Sequence, residues 1–144
     1  VIDAKLKNFD KTHLYHIKPH QLAKGIRSNE IFTLGEAIKS STMPWKNWEG
    51  MAIGCWKGKR IIYVTKLANY LNVEDRKKFH AKLLVVEENA VQDLEHLLKL
   101  FTWDLLVLGS SNSKSVANKL LKQADQLGIQ VHSIHHHGAL ETYW

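Results

Sequence analysis

The sequence predicts an α/β fold whose second half is a parallel, Rossmann-like β-α-β-α-β unit. Short continuous apolar runs alternate with segments of helical periodicity, the connections between them are brief, and capping residues stand at the helix boundaries. Because 144 residues is a common size for one domain, we expect a single domain over 1–144. Its first half would add strands to the same mixed sheet of about five or six strands.

The parallel unit is predicted over residues 81–134. Its three strands are expected at 82–87, 104–109 and 129–134, since each is a short run of mainly apolar residues. The first intervening helix would begin at Glu88 or Asn89 and run through Phe101. The second would follow a turn at 109–115 and end at Gly128, a C′ glycine. Residues 135–144 would form a short tail.

The first half is expected to combine helices with a hairpin. A strand over 12–17 precedes two short helices, which start near Pro19 and Thr33, and residues 40–48 are predicted to form a loop.

Two strand-like runs, 51–56 and 60–65, flank Lys57-Gly58-Lys59. This pattern indicates a β-hairpin with Gly58 at a positive φ. Residues 66–80 are expected to be helical.

The charge is distributed unevenly along the chain. Residues 1–82 carry 16 lysines and arginines against seven acids, whereas residues 83–144 carry four against seven. A basic half predicts a polyanionic partner, nucleic acid or a nucleotide. The alternative is that surface lysines simply keep the domain soluble, since only three of these cations are arginines.

Composition excludes several classes of protein. One cysteine, Cys55, rules out an internal disulfide framework and cysteine-based zinc sites, and it favours a cytoplasmic setting. An exported single-domain effector would show the same feature. No stretch approaches the length of a membrane helix, so no membrane association is expected.

The turn after the second parallel strand is a candidate phosphate site. Ligands of α/β sheets bind at the carboxyl ends of the strands, where a helix N-terminus offers N–H groups. The turn lacks the second glycine of a Walker A loop, and a plain capped turn is the alternative. The candidate phosphate-binding residues are Gly109, Ser110, Ser111, Lys114 and Ser115.

Histidines follow the third parallel strand and are candidate catalytic residues. If the strand continues, alternation places His135 and His137 on one face and His136 on the other. Imidazoles with nearby carboxylates suit acid–base or metal-assisted phosphoester chemistry; a solvent-exposed polar tail is the alternative. The candidate catalytic residues are His132, His135, His137, Glu87 and Glu88. The histidines with Glu87, Glu88 or Asp104 would also suit a divalent metal, whose identity is unknown.

Cations and aromatic residues alternate in the middle of the chain. Such a pattern suits single-stranded nucleic acid, whose bases stack on aromatic faces while lysines follow the backbone. The alternative is that the tryptophans serve as core or loop anchors. The candidate nucleic-acid-binding residues are Lys46, Trp48, Lys57, Lys59, Arg60, Arg76, Lys77 and Lys78.

The run Leu14-Tyr-His-Ile-Lys-Pro-His-Gln-Leu-Ala-Lys-Gly-Ile26 resembles the opening of ADP-ribosyltransferase-type domains. There, a strand ending in Tyr-His precedes a helix that ends in a Gly-Ile step. The resemblance implies that His16 holds NAD and that Glu141 completes the site. That family's core is two packed, mostly antiparallel sheets, which differs from the parallel unit predicted for residues 81–134.

The leading functional hypothesis is a small enzyme that acts on nucleic acid or a nucleotide, by nuclease-like phosphodiester cleavage at the carboxyl ends of the strands. The first alternative is a non-catalytic module that binds nucleic acid or a nucleotide. The second is an ADP-ribosyltransferase-like enzyme that uses NAD, and a protein–protein inhibitor is a further class. The sequence does not indicate an oligomeric state.

Overall fold

A computed structural model describes residues 45–48, 50–67 and 78–142, all of which lie in one compact unit, residues 41–144. The predicted strand at 12–17, both early helices, His16, Arg76 and Lys77 lie outside the described residues, as does the side chain of Trp48. The prediction of one domain over 1–144 therefore stays a prediction. The elements are β1 (Lys46–Trp48), β2 (Met51–Trp56), β3 (Lys59–Val64), β4 (Phe79–Val86), α1 (Leu94–Leu100), β5 (Phe101–Leu108), α2 (Lys114–Leu127), β6 (Val131–Ser133) and α3 (Ile134–His137).

The strands form one mixed six-stranded sheet in the order β1-β2-β3-β4-β5-β6. The pairs β1–β2 and β2–β3 are antiparallel, whereas β3, β4, β5 and β6 run parallel to one another. This confirms the α/β class, the parallel unit and the addition of earlier strands to the same sheet.

A two-residue turn joins β2 to β3. Lys57 and Gly58 have φ angles of 46° and 75°, as a type I′ turn requires, and this turn matches the twist of the flanking strands. The prediction of a hairpin with Gly58 at a positive φ is confirmed; Lys59 belongs to the strand and not to the turn.

The core lies between one face of the sheet and the helices α1 and α2. Alternate residues of β3, β4 and β5 point to this side, as the two-residue period of a strand dictates. Helix α1 contributes Leu94 and Leu97, and α2 contributes Leu120. Because strand order follows chain order, both crossovers pass over the same face. The strand residues that pack there are Ile62, Val64, Leu84, Val86, Leu106 and Leu108.

Both predicted ends of the first helix in the parallel unit are wrong. The helix expected from Glu88 or Asn89 begins at Leu94, because both of these residues have a φ of 55° and form a turn that Ala90 N closes onto Glu87 O at 2.9 Å. The N-cap of α1 is Asp93, whose carboxylate accepts from Glu95 N. Phe101 begins β5 instead of ending the helix.

Two more corrections concern segments expected to be irregular or helical. Residues 46–48, predicted as loop, form strand β1 by pairing with β2. Phe79 and His80, predicted as the end of a helix, begin β4, where they pair with Phe101 and Thr102. Among the residues that the structure describes, no helix is long and apolar enough to cross a membrane.

Candidate functional site

The polar residues of interest lie at both ends of the parallel strands. We call the segments 87–89, 109–113 and 133–138, which follow β4, β5 and β6, the carboxyl edge. We call the segments 56–60, 78–82 and 102–104, which open β3, β4 and β5, the amino edge.

At the carboxyl edge, the carboxylate of Glu87 is bound by the turn that follows β5. Glu87 is 8% exposed, and its Oε2 accepts from the backbone N–H of Ser111 at 3.1 Å and from the Ser111 hydroxyl. The Ser111 hydroxyl in turn accepts from Glu88 N at 2.7 Å. A Cβ at Gly109 would overlap this carboxylate, so a side chain there would force Glu87 to move. The candidate phosphate turn therefore already holds an oxyanion, and that oxyanion belongs to the chain itself.

Two asparagines tie the same two segments together. Asn112 is 1% exposed; its amide donates to Val86 O at 2.7 Å and to Gly109 O at 2.9 Å, and its Oδ1 accepts from Asn89 N at 2.9 Å. The Asn89 side chain accepts from Ser113 N at 2.7 Å. These bonds hold Glu88 and Asn89 in the left-handed conformation, which a glutamate rarely adopts unaided.

The predicted strand continuation through the histidines is wrong. Strand β6 ends at Ser133, and residues 134–137 form one helical turn, α3, closed by Gly138 N on Ile134 O at 3.1 Å. The histidines are therefore splayed around a helix axis and do not alternate between two faces. The reason is local, because the N–H and the hydroxyl of Ser133 both form hydrogen bonds with histidines of this turn.

Each histidine at this edge has a specific partner. His135 Nε2 donates to Asn112 O at 2.7 Å, so this nitrogen carries the proton. His136 accepts from the Ser133 hydroxyl at Nδ1, 2.9 Å away, and donates from Nε2 to Asn118 Oδ1 at 2.7 Å. His137 Nδ1 accepts from Ser133 N at 3.0 Å. His132 Nε2 donates to Gly138 O at 3.0 Å.

The resulting carboxyl-edge network links Glu87, Ser111, Asn112 and His135, so the structure does bring three groups of candidate residues together. Ser133, His136 and Asn118 form a hydrogen-bonded chain similar to a catalytic triad, but the Ser133 residue is 0% exposed, which excludes it as a nucleophile in this conformation. The described residues contain no cluster of three metal-ligating side chains. Glu88, Lys114 and Ser115 are exposed, and Ser110 is half-buried. The catalytic and phosphate-binding roles stay predictions.

The amino edge carries exposed cations and aromatic side chains. We call the cations Lys57, Lys59, Arg60, Lys78 and Lys82, with His80 among them, the cationic strip. Lys57, Lys59, Arg60, Lys78 and His80 are exposed and Lys82 is half-buried. Arg60 Nη1 donates to His80 O at 2.9 Å, joining the starts of β3 and β4. Trp56 and Phe79 lie beside the strip, 45% and 52% exposed.

One carboxylate stands within this edge. Asp104 Oδ2 accepts from Lys82 Nζ at 2.7 Å, and Asp104 Oδ1 lies 3.5 Å from His80 Nε2. His80 Nδ1 is 3.2 Å from the Thr102 hydroxyl. The hydrogen bond from Lys82 lowers the pKa of Asp104 below its usual value; attraction to Lys82, His80 and Lys59 acts in the same direction, and partial desolvation opposes it. Asp104, a predicted metal ligand beside the histidines, lies instead in the first half of β5 and belongs to the amino edge.

The two edges are far apart. His80 and Glu87 are seven residues apart along β4 and its end, which corresponds to about 23 Å at roughly 3.3 Å per residue. A single site that combines the cationic strip with the histidines is therefore too large for one phosphate group. Of the other predicted nucleic-acid contacts, Lys46 is exposed on the edge strand β1.

Phe79, His80 and Lys82 of the amino edge were not among the residues that the sequence pattern indicated, whereas Trp56 lies in the predicted aromatic and basic stretch. A signal for Phe79 and His80 was present, because no Gly, Pro or Asn separates them from the apolar run that forms the rest of β4. Assigning residues 66–80 to a helix concealed it.

The family model described as the ComEC C-terminal domain matches residues 1–144, the whole length of the chain. No curated protein and no solved structure matches the chain. The family is linked to DNA uptake, which gives the chain a nucleic-acid-associated role.

Proposed function

Because the chain belongs to the ComEC C-terminal domain family, we propose that it binds single-stranded nucleic acid at the amino edge, without cleaving it. The observation that carries the proposal is the cationic strip, in which the turn before β3 and the starts of the neighbouring strands β3 and β4 carry exposed positive side chains. Clustered lysine and arginine side chains attract a phosphate backbone and release its condensed counterions.

The aromatic side chains favour a single strand over a duplex. Trp56 and Phe79 are large and about half exposed at the same edge as the strip. A base that is free of a partner strand stacks on such a face, which contributes about 1–3 kcal/mol per base, whereas the bases of a duplex are already stacked. Phosphates would then contact the cations while one or two bases cover the aromatic rings.

The carboxyl edge fits a structural role better than a catalytic one. Glu87, Asn112 and His135 each have hydrogen-bond partners inside the protein. A general acid, base or metal ligand in these positions would have to leave its partner before it could reach a substrate.

The first test is fluorescence anisotropy with a labelled single-stranded oligonucleotide and with its duplex, over a series of salt concentrations. The Lys57→Gln/Lys59→Gln variant is expected to bind the single strand more weakly. Its salt slope should fall by about 1.4, at roughly 0.7 for each phosphate that is no longer neutralised. The matched control is Lys119→Gln/Lys122→Gln, which removes two exposed lysines from α2. Affinity that does not change with salt, or equal reductions of affinity in both variants, would contradict the proposal.

A second candidate is nuclease-like phosphodiester cleavage at the carboxyl edge. The observation in its favour is that Glu87, Ser111 and His135 meet in one network. Replacing His135 and His137 by alanine would then abolish turnover, with or without divalent metal, and leave affinity nearly unchanged. No cleavage of RNA, DNA or nucleotides by the native protein would exclude this candidate. The ADP-ribosyltransferase-like alternative depends on His16, outside the described residues, and the chain matches another family.

A further inference from the structure

We propose that Asp104 is a built-in competitor of nucleic acid: its carboxylate occupies the cations of the amino edge and weakens binding, so that a phosphate must displace it. The inference rests on the proposed function, because it concerns the same surface. It assigns to Asp104 a regulatory role that the charge of the strip alone does not reveal.

The geometry carries the proposal. Asp104 presents one oxygen to Lys82 Nζ at 2.7 Å and the other toward His80 Nε2 at 3.5 Å. A phosphodiester also offers two anionic oxygens, and it makes charge-assisted bonds to the same donors. The carboxylate therefore stands where a phosphate bound to Lys82 and His80 would place its oxygens.

Asp104 stands among the cations of the amino edge. The first four residues of β3, β4 and β5 include no acid other than Asp104. Lys59 also acts on the carboxylate electrostatically, and the pKa of Asp104 is lowered below its usual value. One carboxylate thus offsets part of the field of several cations.

The contacts of Asp104 with Lys82 and His80 are exposed enough for a phosphate to replace the carboxylate. The side chains of Lys82 and Asp104 are 44% and 43% exposed, and that of His80 is 60% exposed. Ion pairs at such positions are weak and screened by salt, so a polyanion that brings several phosphates can replace the carboxylate. A buried pair would not exchange in this way.

The test is the Asp104→Asn variant, which removes the charge and keeps the shape. We expect it to bind a labelled single-stranded oligonucleotide about threefold to tenfold more tightly than the native chain, the effect of removing one like charge roughly 5–8 Å from a bound phosphate. The salt slope should steepen by about 0.7, corresponding to one further neutralised phosphate. The matched control is Glu95→Gln, which removes one exposed carboxylate from the first turn of α1 and is expected to change affinity much less.

A second variant tests whether Asp104 acts through Lys82. In a Lys82→Gln background, the gain from Asp104→Asn should shrink, because the donor that the carboxylate occupies is gone. Circular dichroism of each variant checks that the fold is retained.

The outcomes separate the two proposals. If the native chain binds no oligonucleotide at any salt concentration, the proposed function fails. If it binds, but Asp104→Asn gains no more affinity than Glu95→Gln, only the proposal that Asp104 competes with nucleic acid fails. A loss of affinity in Asp104→Asn would show that the carboxylate positions Lys82 for binding, and it would overturn the inference.

Discussion

The two edges of the sheet contain similar types of polar residue, but the surroundings of these residues differ. At the carboxyl edge, Glu87, Asn112 and His135 bond to other segments of the chain, and Glu87 and Asn112 are buried. At the amino edge, charged groups stand in solvent around a single carboxylate. The hydrogen bonds of the carboxyl edge hold three loops together, whereas the exposed ion pairs of the amino edge can exchange one partner for another.

The difference shows why residue type alone is a weak indicator of function. A turn with glycine, serines and a lysine after a parallel strand is typical of a phosphate site. Here, the chain supplies its own anion to that turn, and the N–H and hydroxyl of Ser111 both contact it. A polar group is available for a ligand only if the fold has not already satisfied it.

The largest effect we expect is on stability, from Asn112→Ala at the carboxyl edge. The substitution removes two donated bonds and one accepted bond inside the protein. Buried groups that lose their partners cost about 1–3 kcal/mol each, and since some of them keep a second partner, we expect a decrease of about 2–4 kcal/mol in the free energy of unfolding. Urea denaturation measures it.

The control for this variant is Asn118→Ala. Asn118 is exposed and accepts one bond from His136, which water can replace, so the change should stay within about 0.5 kcal/mol. Equal decreases in the two variants would mean that the carboxyl edge is no more integrated than an ordinary surface, and the contrast between the edges would disappear.

The next effect concerns Gly109 and Glu87. In Gly109→Ala the new methyl group overlaps the Glu87 carboxylate, so Glu87 must swing away and lose its bonds to Ser111, at a cost of about 1–3 kcal/mol. In a Glu87→Ala background the methyl group meets no carboxylate. The double variant should therefore be destabilised by about 1–2 kcal/mol less than the sum of the two single variants. Simple additivity in urea denaturation would show that the two residues do not act as a pair.

Sequence patterns predicted the fold better than the sites. The strands β4 and β5 and the helix α2 follow from apolar runs and from Gly128, which adopts the expected left-handed conformation with a φ of 64°. Convergence of Glu87, the turn after β5 and His135 at one edge was also predictable, because parallel strands end on the same side. The sequence could not show that these groups bond to one another, since that depends on side-chain geometry across segments more than 20 residues apart.

The remaining errors in predicted boundaries lie where hydrogen bonds to side chains override the local sequence pattern. The sequence predicts that Glu88 or Asn89 begins a helix, because the apolar spacing that follows them is helical. Their left-handed conformation is imposed by hydrogen bonds that their backbone N–H groups donate to Ser111 and Asn112. These bonds are long-range in sequence and have no local signature. Similarly, Ser133 ends β6 by donating its N–H to His137, and periodicity does not predict that the strand stops there.

The smallest effect concerns the pH and salt dependence of the amino edge. Because the pKa of Asp104 is lowered in the folded state, its contribution to stability is present above the unfolded pKa of about 3.9 and is lost as pH falls through the lower, folded value. We therefore expect the native chain and Asp104→Asn to differ slightly in Tm at pH 7 and low salt. The two Tm values should converge as pH falls from about 4 through the lower, folded pKa, and also in high salt, where exposed pairs are screened. The lower stability of Asn112→Ala should persist in high salt, because the hydrogen bonds that this variant loses join uncharged groups. If the Asp104→Asn difference survived both acid and salt, the Lys82–Asp104 pair would be a fixed structural contact. The amino edge would then resemble the carboxyl edge, and it would be a poor place for a phosphate to exchange with a carboxylate.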